Sequence, residues 1–189
     1  MSHAELYVEE LRRGNYQVFV DHVISQLPPA LRVSSVDVEV INRYRDELLS
    51  MARDITESYC TVMSTLGMEF FRGSECNDVV SKWWVEFISD LESPRHWIRL
   101  ITIALDLFSR GVGVAALITM PIQMAYVAAS SINNPQFTGA MAKLAALTTA
   151  FYTEALIHLL TEETGTPLSA FMVLAGRAVE DLLRVYGVS

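Results

Sequence analysis

The sequence has few cysteines and few basic residues for its length. Its two cysteines, Cys60 and Cys76, do not have the spacing of a metal site, so we expect buried thiols in a reducing compartment. Lys and Arg number 14 against 22 Asp and Glu, which gives a formal net charge of -8 over 189 residues. Nucleic-acid binding needs clustered cations, so this balance argues against a nucleic-acid partner.

Catalytic and metal-binding motifs are also missing from the sequence. The 4 histidines have no partner residue at metal-ligand spacing, and there is no Gly-rich phosphate loop and no recognisable Ser or Cys nucleophile. We therefore predict that the protein is not an enzyme, with no catalytic residue, no metal and no cofactor. The first residues lack the basic and then apolar layout of a signal peptide, which favours the cytoplasm.

Apolar residues make up 51% of the chain, and they recur at intervals of three and four rather than two. This periodicity predicts an all-α protein, and the length suits a single domain over residues 1–189. We expect six to eight helices around a hydrophobic central hairpin. The predicted helices cover about 4–27, 35–67, 78–91, 94–108, 111–132, 139–163 and 168–186.

Two helix starts can be read from the sequence. Ser35 is predicted to cap the second helix, since a Ser hydroxyl satisfies free backbone N–H groups and acidic residues follow it. Ser93 followed by Pro94 is a strong signal for the start of the fourth helix. Asp106 then interrupts an apolar run, and two interpretations are open: an ion pair with Arg110, one turn later, or a functional buried carboxylate.

Trp83 and Trp84 are adjacent on the third predicted helix. Successive residues of a helix point about 100° apart. We therefore expect one of the two indoles to lie at an edge or in solvent.

No charged residue occurs between Gly111 and Ile132, a stretch long enough to span a bilayer. Pro121 lies in the middle, where it is expected to kink or break a helix. Two interpretations are open: a central core helix wrapped by amphipathic neighbours, or a helix that inserts into a membrane.

The start of the fourth predicted helix carries an unusual pair of side chains. Trp97 and Arg99 immediately precede the apolar run from Leu100 to Phe108. An aromatic ring and a fixed cation at the mouth of a core helix favour a groove that recognises an acidic, apolar ligand.

This element resembles the first homology region of the Bcl-2 family of apoptosis regulators, in which Asn-Trp-Gly-Arg precedes an apolar helix. Trp97 and Arg99 match, the Asn is not matched, and Ile98 stands where the family has Gly. Residues 165–171, which end in Ala-Phe, resemble the second homology region, and the likeness spans residues 44–175. Such divergence around a retained Trp and Arg is similar to that of the viral homologues of the family.

The segment Leu48–Ile55 resembles the third homology region, an amphipathic helix that begins with Leu and has a small residue four places on, followed by Asp. Two registers are open. A start at Leu48 places Ala52 at the small position, with Arg53 where the family has Asp. A start at Leu49 places Asp54 on that Asp, with Arg53 at the small position.

The resemblance implies an anti-apoptotic, Bcl-2-like bundle of about seven to eight helices. Its partners would be the BH3 helices of pro-apoptotic family members, held in a hydrophobic groove, in the cytoplasm and at the mitochondrial outer membrane. Arg99 would pair with the acidic residue of the ligand, Trp97 would support the groove wall, and Ile98 would narrow the choice of ligand. The other candidates for the groove lining are Tyr44, Leu48, Met51, Ala52, Val85 and Ile88.

Other functions are also compatible with the sequence. An unoccupied apolar groove is an exposed patch, so we expect a homodimer formed through the groove. The uncharged stretch from Gly111 to Ile132 adds membrane association as a further expectation. A membrane-active bundle whose central hairpin inserts is one alternative. A helical interaction module unrelated to apoptosis is the other.

Overall fold

The structure, a computed structural model, describes residues 16–65 and 74–164. These residues form eight α-helices and a short 3-10 turn at Pro29–Leu31, with no strand among them. The predicted all-α fold with seven to eight helices is therefore confirmed. The helices are α1 (Tyr16–Gln26), α2 (Ser35–Arg43), α3 (Arg45–Ser50), α4 (Ala52–Thr65), α5 (Ser74–Phe87), α6 (Pro94–Ser109), α7 (Val114–Ser131) and α8 (Pro135–Thr164).

The antiparallel hairpin of α7 and α8 lies at the centre of the bundle. Helix α8 is 30 residues long, it contacts α1, α2 and α6, and its contact with α7 is the most extensive between any two described helices. Asn134 caps α8, because its side-chain oxygen accepts hydrogen bonds from the backbone N–H groups of Gln136 and Phe137 at 2.9 and 3.0 Å. The hydrophobic hairpin expected from the sequence is thus α7 and α8.

The region predicted as one helix over 35–67 contains three helices, α2, α3 and α4, with interruptions at Tyr44 and Met51. The predicted cap, Ser35, is wrong by one residue. The Ser34 hydroxyl accepts a hydrogen bond from the Asp37 N–H at 3.3 Å, and the Asp37 carboxylate accepts one from the Ser34 N–H at 2.8 Å. This reciprocal capping box makes Ser35 the first residue of the helix.

Asp37 also joins α2 to α8. The Lys143 ammonium lies 3.0 Å from each oxygen of its carboxylate. Burial by itself raises the pKa of Asp37, but the hydrogen bonds from Ser34 and the ammonium of Lys143 outweigh this effect and hold the pKa below its usual value. The carboxylate of Asp37 in the capping box of α2 is therefore ionised at neutral pH.

Pro121 does not break α7. The helix runs continuously from Val114 to Ser131 with the proline inside it, and Pro121 itself is buried. A proline in a helix interior costs about 3 kcal/mol or more. The long contact of α7 with α8, together with contacts to α4 and α6, offsets that cost.

Trp83 and Trp84 are both fully buried, so the expectation that one of them lies at an edge is wrong. The Trp83 indole N–H donates to the Tyr152 hydroxyl on α8. The Trp84 indole N–H donates to the backbone oxygen of Leu48 on α3 at 2.9 Å. Helix α5 therefore has a packing partner on each side, and both indole N–H groups are satisfied inside the core.

Cys60 and Cys76 form a disulfide that joins α4 to the first turn of α5, with Cα atoms 6.2 Å apart. Both residues are buried, as expected, but the expectation of free thiols is wrong. The spacing of 16 residues does not reveal the pairing, because the approach of the two side chains depends on how α4 and α5 pack.

Some expectations fall outside the described residues. These are the first part of the predicted helix at 4–27, the predicted helix 168–186 and the segment 165–171 that resembles the second homology region.

Candidate functional site

Helix α6 begins at Pro94 with Ser93 at its N-cap, as predicted. Trp97 lies in the first turns of this helix and is buried. Its indole stacks on the ring of Phe151 on α8, with centroids 4.8 Å apart, and Phe151 also contacts Phe19 on α1. Trp97 therefore joins α6 to the centre of the bundle as part of an aromatic core.

Arg99 is held by two carboxylates of its own chain. Its Nε lies 2.7 Å from Glu86 Oε2, and one terminal nitrogen lies 3.4 Å from Asp90 Oδ2. The side chain remains 41% exposed, so the guanidinium lies at the surface between the end of α5 and the start of α6. An acidic ligand at this position has to displace or share these partners.

Asp106, on the same helix, has the partner that the sequence predicted. Its carboxylate lies 3.0 Å from Nε of Arg110, one turn later. Arg110 also contacts Glu75 on α5. This cluster is a surface ion-pair network between α5 and α6.

The other predicted lining residues divide into buried and accessible ones. Leu48 and Ile88 are fully buried, whereas Val85 is 39% exposed. Tyr44 contacts the loop between α7 and α8, because its hydroxyl accepts a hydrogen bond from the Asn134 side chain at 3.0 Å. Three further residues pack partly buried against the core: Met51, Ala52 and Ile98.

The structure has an apolar groove at a different place, between α4 and α7. Its volume is about 540 Å³, within the roughly 300–1,000 Å³ typical of ligand sites. Three large apolar side chains stand exposed along it: Val62 at 47%, Ile122 at 52% and Tyr126 at 73%. The lining residues are Ile55, Ser58, Tyr59, Val62, Ile122, Gln123, Met124, Tyr126 and Val127.

None of the residues predicted to bind a partner lines this α4–α7 groove. One signal for it was present in the sequence, because Ile55, Tyr59 and Val62 recur at helical spacing on α4. The α7 side could not be identified in the same way. Ile122 and Tyr126 lie in a stretch without charged residues, so no charged side chain distinguishes its exposed face from its buried one.

Tyr59 connects the two walls of the groove. Its hydroxyl donates a hydrogen bond to the backbone oxygen of Ala116 on α7 at 3.2 Å. Burial raises the pKa of Tyr59 above its ordinary value, so the hydroxyl keeps its proton at physiological pH. None of the lining side chains just named carries a charge, so the groove suits an apolar surface.

His96 is the buried neighbour of the predicted site. Burial, with a smaller contribution from the Arg99 cation, lowers its pKa to about 4. The imidazole is therefore neutral at physiological pH. In the described parts of the chain no group of three or more His, Cys, Asp or Glu residues is placed to hold a metal ion.

Helix α7 is long and apolar enough to cross a membrane, and 44% of it is buried inside the bundle. The core helix of a soluble protein meets the same criteria. Both interpretations of the uncharged stretch therefore stay open.

Comparisons of this chain with family models, with curated proteins and with solved structures found no match. The fold and the groove define an all-α protein with a helix-lined apolar cleft. Its relationship to the Bcl-2 family stays a prediction, based on the motifs around Trp97, Leu48 and Phe171.

Proposed function

We propose that this protein binds the apolar face of an amphipathic partner helix in the α4–α7 groove. The observation that carries the proposal is the exposure of Val62, Ile122 and Tyr126 along one uncharged cleft. Single exposed apolar residues are common, but a contiguous patch with polar surroundings marks an interaction site.

The dimensions of the groove suit a helix. On α4 its lining runs from Ile55 to Val62, seven residue steps or about 10 Å along the axis. On α7 Ile122 and Tyr126 lie one turn apart. An incoming helix with anchors at i, i+3 or i+4, and i+7 covers the same length, and apolar burial at roughly 25 cal/mol per Å² is its main source of affinity.

The partner class that we propose is the BH3 helix of pro-apoptotic Bcl-2 family members, which makes the protein an inhibitor of mitochondrial apoptosis. The resemblance around Trp97 and Arg99 supports this choice. So does the segment Leu48–Ile55, since its last residue lines the groove. On this proposal the protein acts in the cytoplasm and at the mitochondrial outer membrane.

The surface around Arg99 is the alternative receiving site for the same ligand. Arg99 is partly exposed, and Val85 lies close by on α5 next to its partner Glu86. A ligand carboxylate that replaces Glu86 or Asp90 gains little from the exchange of one ion pair for another, because exposed pairs contribute only about 0–1 kcal/mol. Among the residues that the structure describes, no charged side chain lines the α4–α7 groove, so no ion pair has to be displaced there.

Titration calorimetry of the full chain with a panel of BH3 peptides tests the proposal. We expect Tyr126→Ala to weaken binding by about tenfold to a hundredfold, as is usual for an interfacial Tyr anchor. Val36→Ala, on α2 and 64% exposed, is the matched control and should leave binding unchanged. If no peptide binds the native protein, the apoptotic partner is excluded.

Arg99→Ala distinguishes the two surfaces in the same titration. Its matched control is Arg53→Ala, since Arg53 is an exposed cation with an ion pair to Glu57. A loss of affinity with Arg99→Ala, and none with Tyr126→Ala, would place the ligand beside α6 and overturn the assignment to the α4–α7 groove.

Membrane permeabilisation is a second candidate function, favoured by the uncharged length of α7. Dye release from phosphatidylcholine and cardiolipin vesicles tests it, with Ile122→Lys as the variant that should abolish release, since a Lys in the bilayer centre is costly. A protein that does not sediment with the vesicles and releases no dye excludes this function.

The α4–α7 groove can also join two copies of the protein, and we propose a homodimer of this kind. Sedimentation velocity of the native protein and of Tyr126→Ala tests it.

A further inference from the structure

The disulfide Cys60–Cys76 lies directly behind the wall of the α4–α7 groove. Cys60 follows Tyr59, which lines the groove and donates to Ala116 on α7. Cys76 belongs to the first turn of α5, and α5 is the helix with which α4 makes its most extensive contact. The bond therefore fixes one wall of the groove to the rest of the bundle.

We infer that the redox state of Cys60 and Cys76 controls the α4–α7 groove. With the disulfide formed, α4 is held against α5 and the groove keeps its shape. With two thiols, α4 opens more often and the groove loses affinity for its ligand. The opening of α4 depends on the disulfide alone, whereas the change in affinity rests on the function proposed above.

The chemistry needs only a low-molecular-weight thiol such as glutathione. One thiolate attacks a sulfur of the Cys60–Cys76 bond, forms a mixed disulfide with that cysteine and releases the other as a thiolate, which takes up a proton. A second thiol then attacks the mixed disulfide and leaves as glutathione disulfide. Two electrons pass to the protein, and both cysteines end as thiols.

The cytoplasm expected from the sequence contains such thiols and keeps most cysteines reduced. In that compartment the resting protein has the loosened α4. Exchange with glutathione disulfide, which takes up the two electrons and leaves as two glutathione thiols, re-forms Cys60–Cys76 and completes the groove. Ile55 and Met63 are buried on α4, and the Tyr59 hydroxyl donates to Ala116 on α7, so contacts other than the disulfide also hold this helix. The reduced protein therefore keeps its fold and differs in the mobility of one helix.

Hydrogen exchange of the full chain, oxidised and after treatment with dithiothreitol, measures the effect. A disulfide between residues 16 apart in the sequence lowers the population of the opened chain by up to roughly a hundredfold. We expect amides of α4 to exchange about tenfold faster or more in the reduced protein, while amides of residues 137–152 in α8 keep their rates. Reoxidation with glutathione disulfide should restore the slow exchange.

The double variant Cys60→Ser with Cys76→Ser is the matched control, because its exchange should equal that of the reduced protein and not respond to dithiothreitol. If this variant does not fold, the reduced native chain supplies the same comparison. Equal exchange of α4 in the oxidised and reduced native protein would overturn the inference. So would two reactive thiols in the native protein after air oxidation.

A titration with the BH3 peptides in both redox states separates the two proposals. Faster exchange of α4 without any peptide binding leaves the redox control of the helix intact and removes the proposed partner. Peptide binding of equal strength in both states retains the partner and overturns the control of affinity.

Discussion

The indole of Trp97 stacks on the ring of Phe151, with centroids 4.8 Å apart and planes inclined by 19°. This contact joins the start of α6 to the middle of α8. Arg99, two residues later, points to the surface and to Glu86. The most distinctive pair in the sequence is therefore divided between the core and the surface.

Replacement of Trp97 by Ala should lower the free energy of unfolding by about 3–5 kcal/mol, because it removes the stacked ring and leaves a cavity beside Phe151. Urea denaturation measures the loss. Trp97→Phe retains an aromatic ring and should lose less, and the exposed control Val36→Ala should stay within about 0.5 kcal/mol of the native protein. A loss below about 1 kcal/mol for Trp97→Ala would contradict a core role.

His96 should make the protein less stable in mild acid. Its pKa falls from 6.5 to about 4 in the folded state, so between these pH values the unfolded chain binds a proton that the folded chain does not. The contribution of His96 to the free energy of unfolding is therefore fully present above about pH 6.5. It is lost as the pH falls toward 4, by about 3 kcal/mol in total.

Urea midpoints at pH 7, 6, 5 and 4.5 measure this dependence. His96→Phe removes the titrating group and should flatten the curve over the same range. A native protein as stable at pH 4.5 as at pH 7 would show that His96 is accessible to protons when folded.

Asp37→Asn should cost about 1–2 kcal/mol at neutral pH, since it weakens the capping box with Ser34 and removes the ion pair with Lys143. The folded pKa of Asp37 lies below 3.8, so its stabilising effect is present above that value and is lost as the pH falls through the folded pKa. Thermal midpoints of both proteins at pH 7 and pH 3 check this. The difference should shrink at pH 3, and a difference that persists would assign the effect to packing.

Tyr152→Phe should destabilise the protein by about 1–3 kcal/mol, because it leaves the buried indole N–H of Trp83 without its acceptor. A double-mutant cycle with Trp83→Phe, followed by urea denaturation, isolates the pair. The loss from Tyr152→Phe should be smaller in the Trp83→Phe background, where no indole donor remains. Additive losses would mean that the two groups do not interact.

Much of the fold could be predicted from neighbouring residues. Apolar residues at intervals of three and four indicated the helices, and Ser93 with Pro94 located the start of α6. The pairing of Asp106 with Arg110 follows in the same way, since residues one helical turn apart meet whatever the rest of the chain does. The predicted cap of α2 was wrong by one residue because Ser34 and Ser35 can both cap a helix. The position of Asp37, three residues after Ser34, decides between them.

The two adjacent tryptophans mark the limit of such reasoning. A helical wheel separates Trp83 from Trp84 by about 100°, and a helix with one buried face has to expose one of them. Helix α5 has Tyr152 on one side and Leu48 on the other. The number of faces that a helix buries depends on its neighbours, and these lie far away in the sequence.

Local periodicity and capping thus determined that the protein is helical, where several of its helices begin, and that Trp97 and Arg99 stand together at the head of one of them. The tertiary structure decided that Arg99 is paired with Glu86, that Cys60 meets Cys76, and that the apolar groove lies between α4 and α7. The physical reason is distance along the chain. Helix formation depends on residues within one or two turns, whereas a groove and a disulfide depend on the packing of segments that the sequence keeps apart.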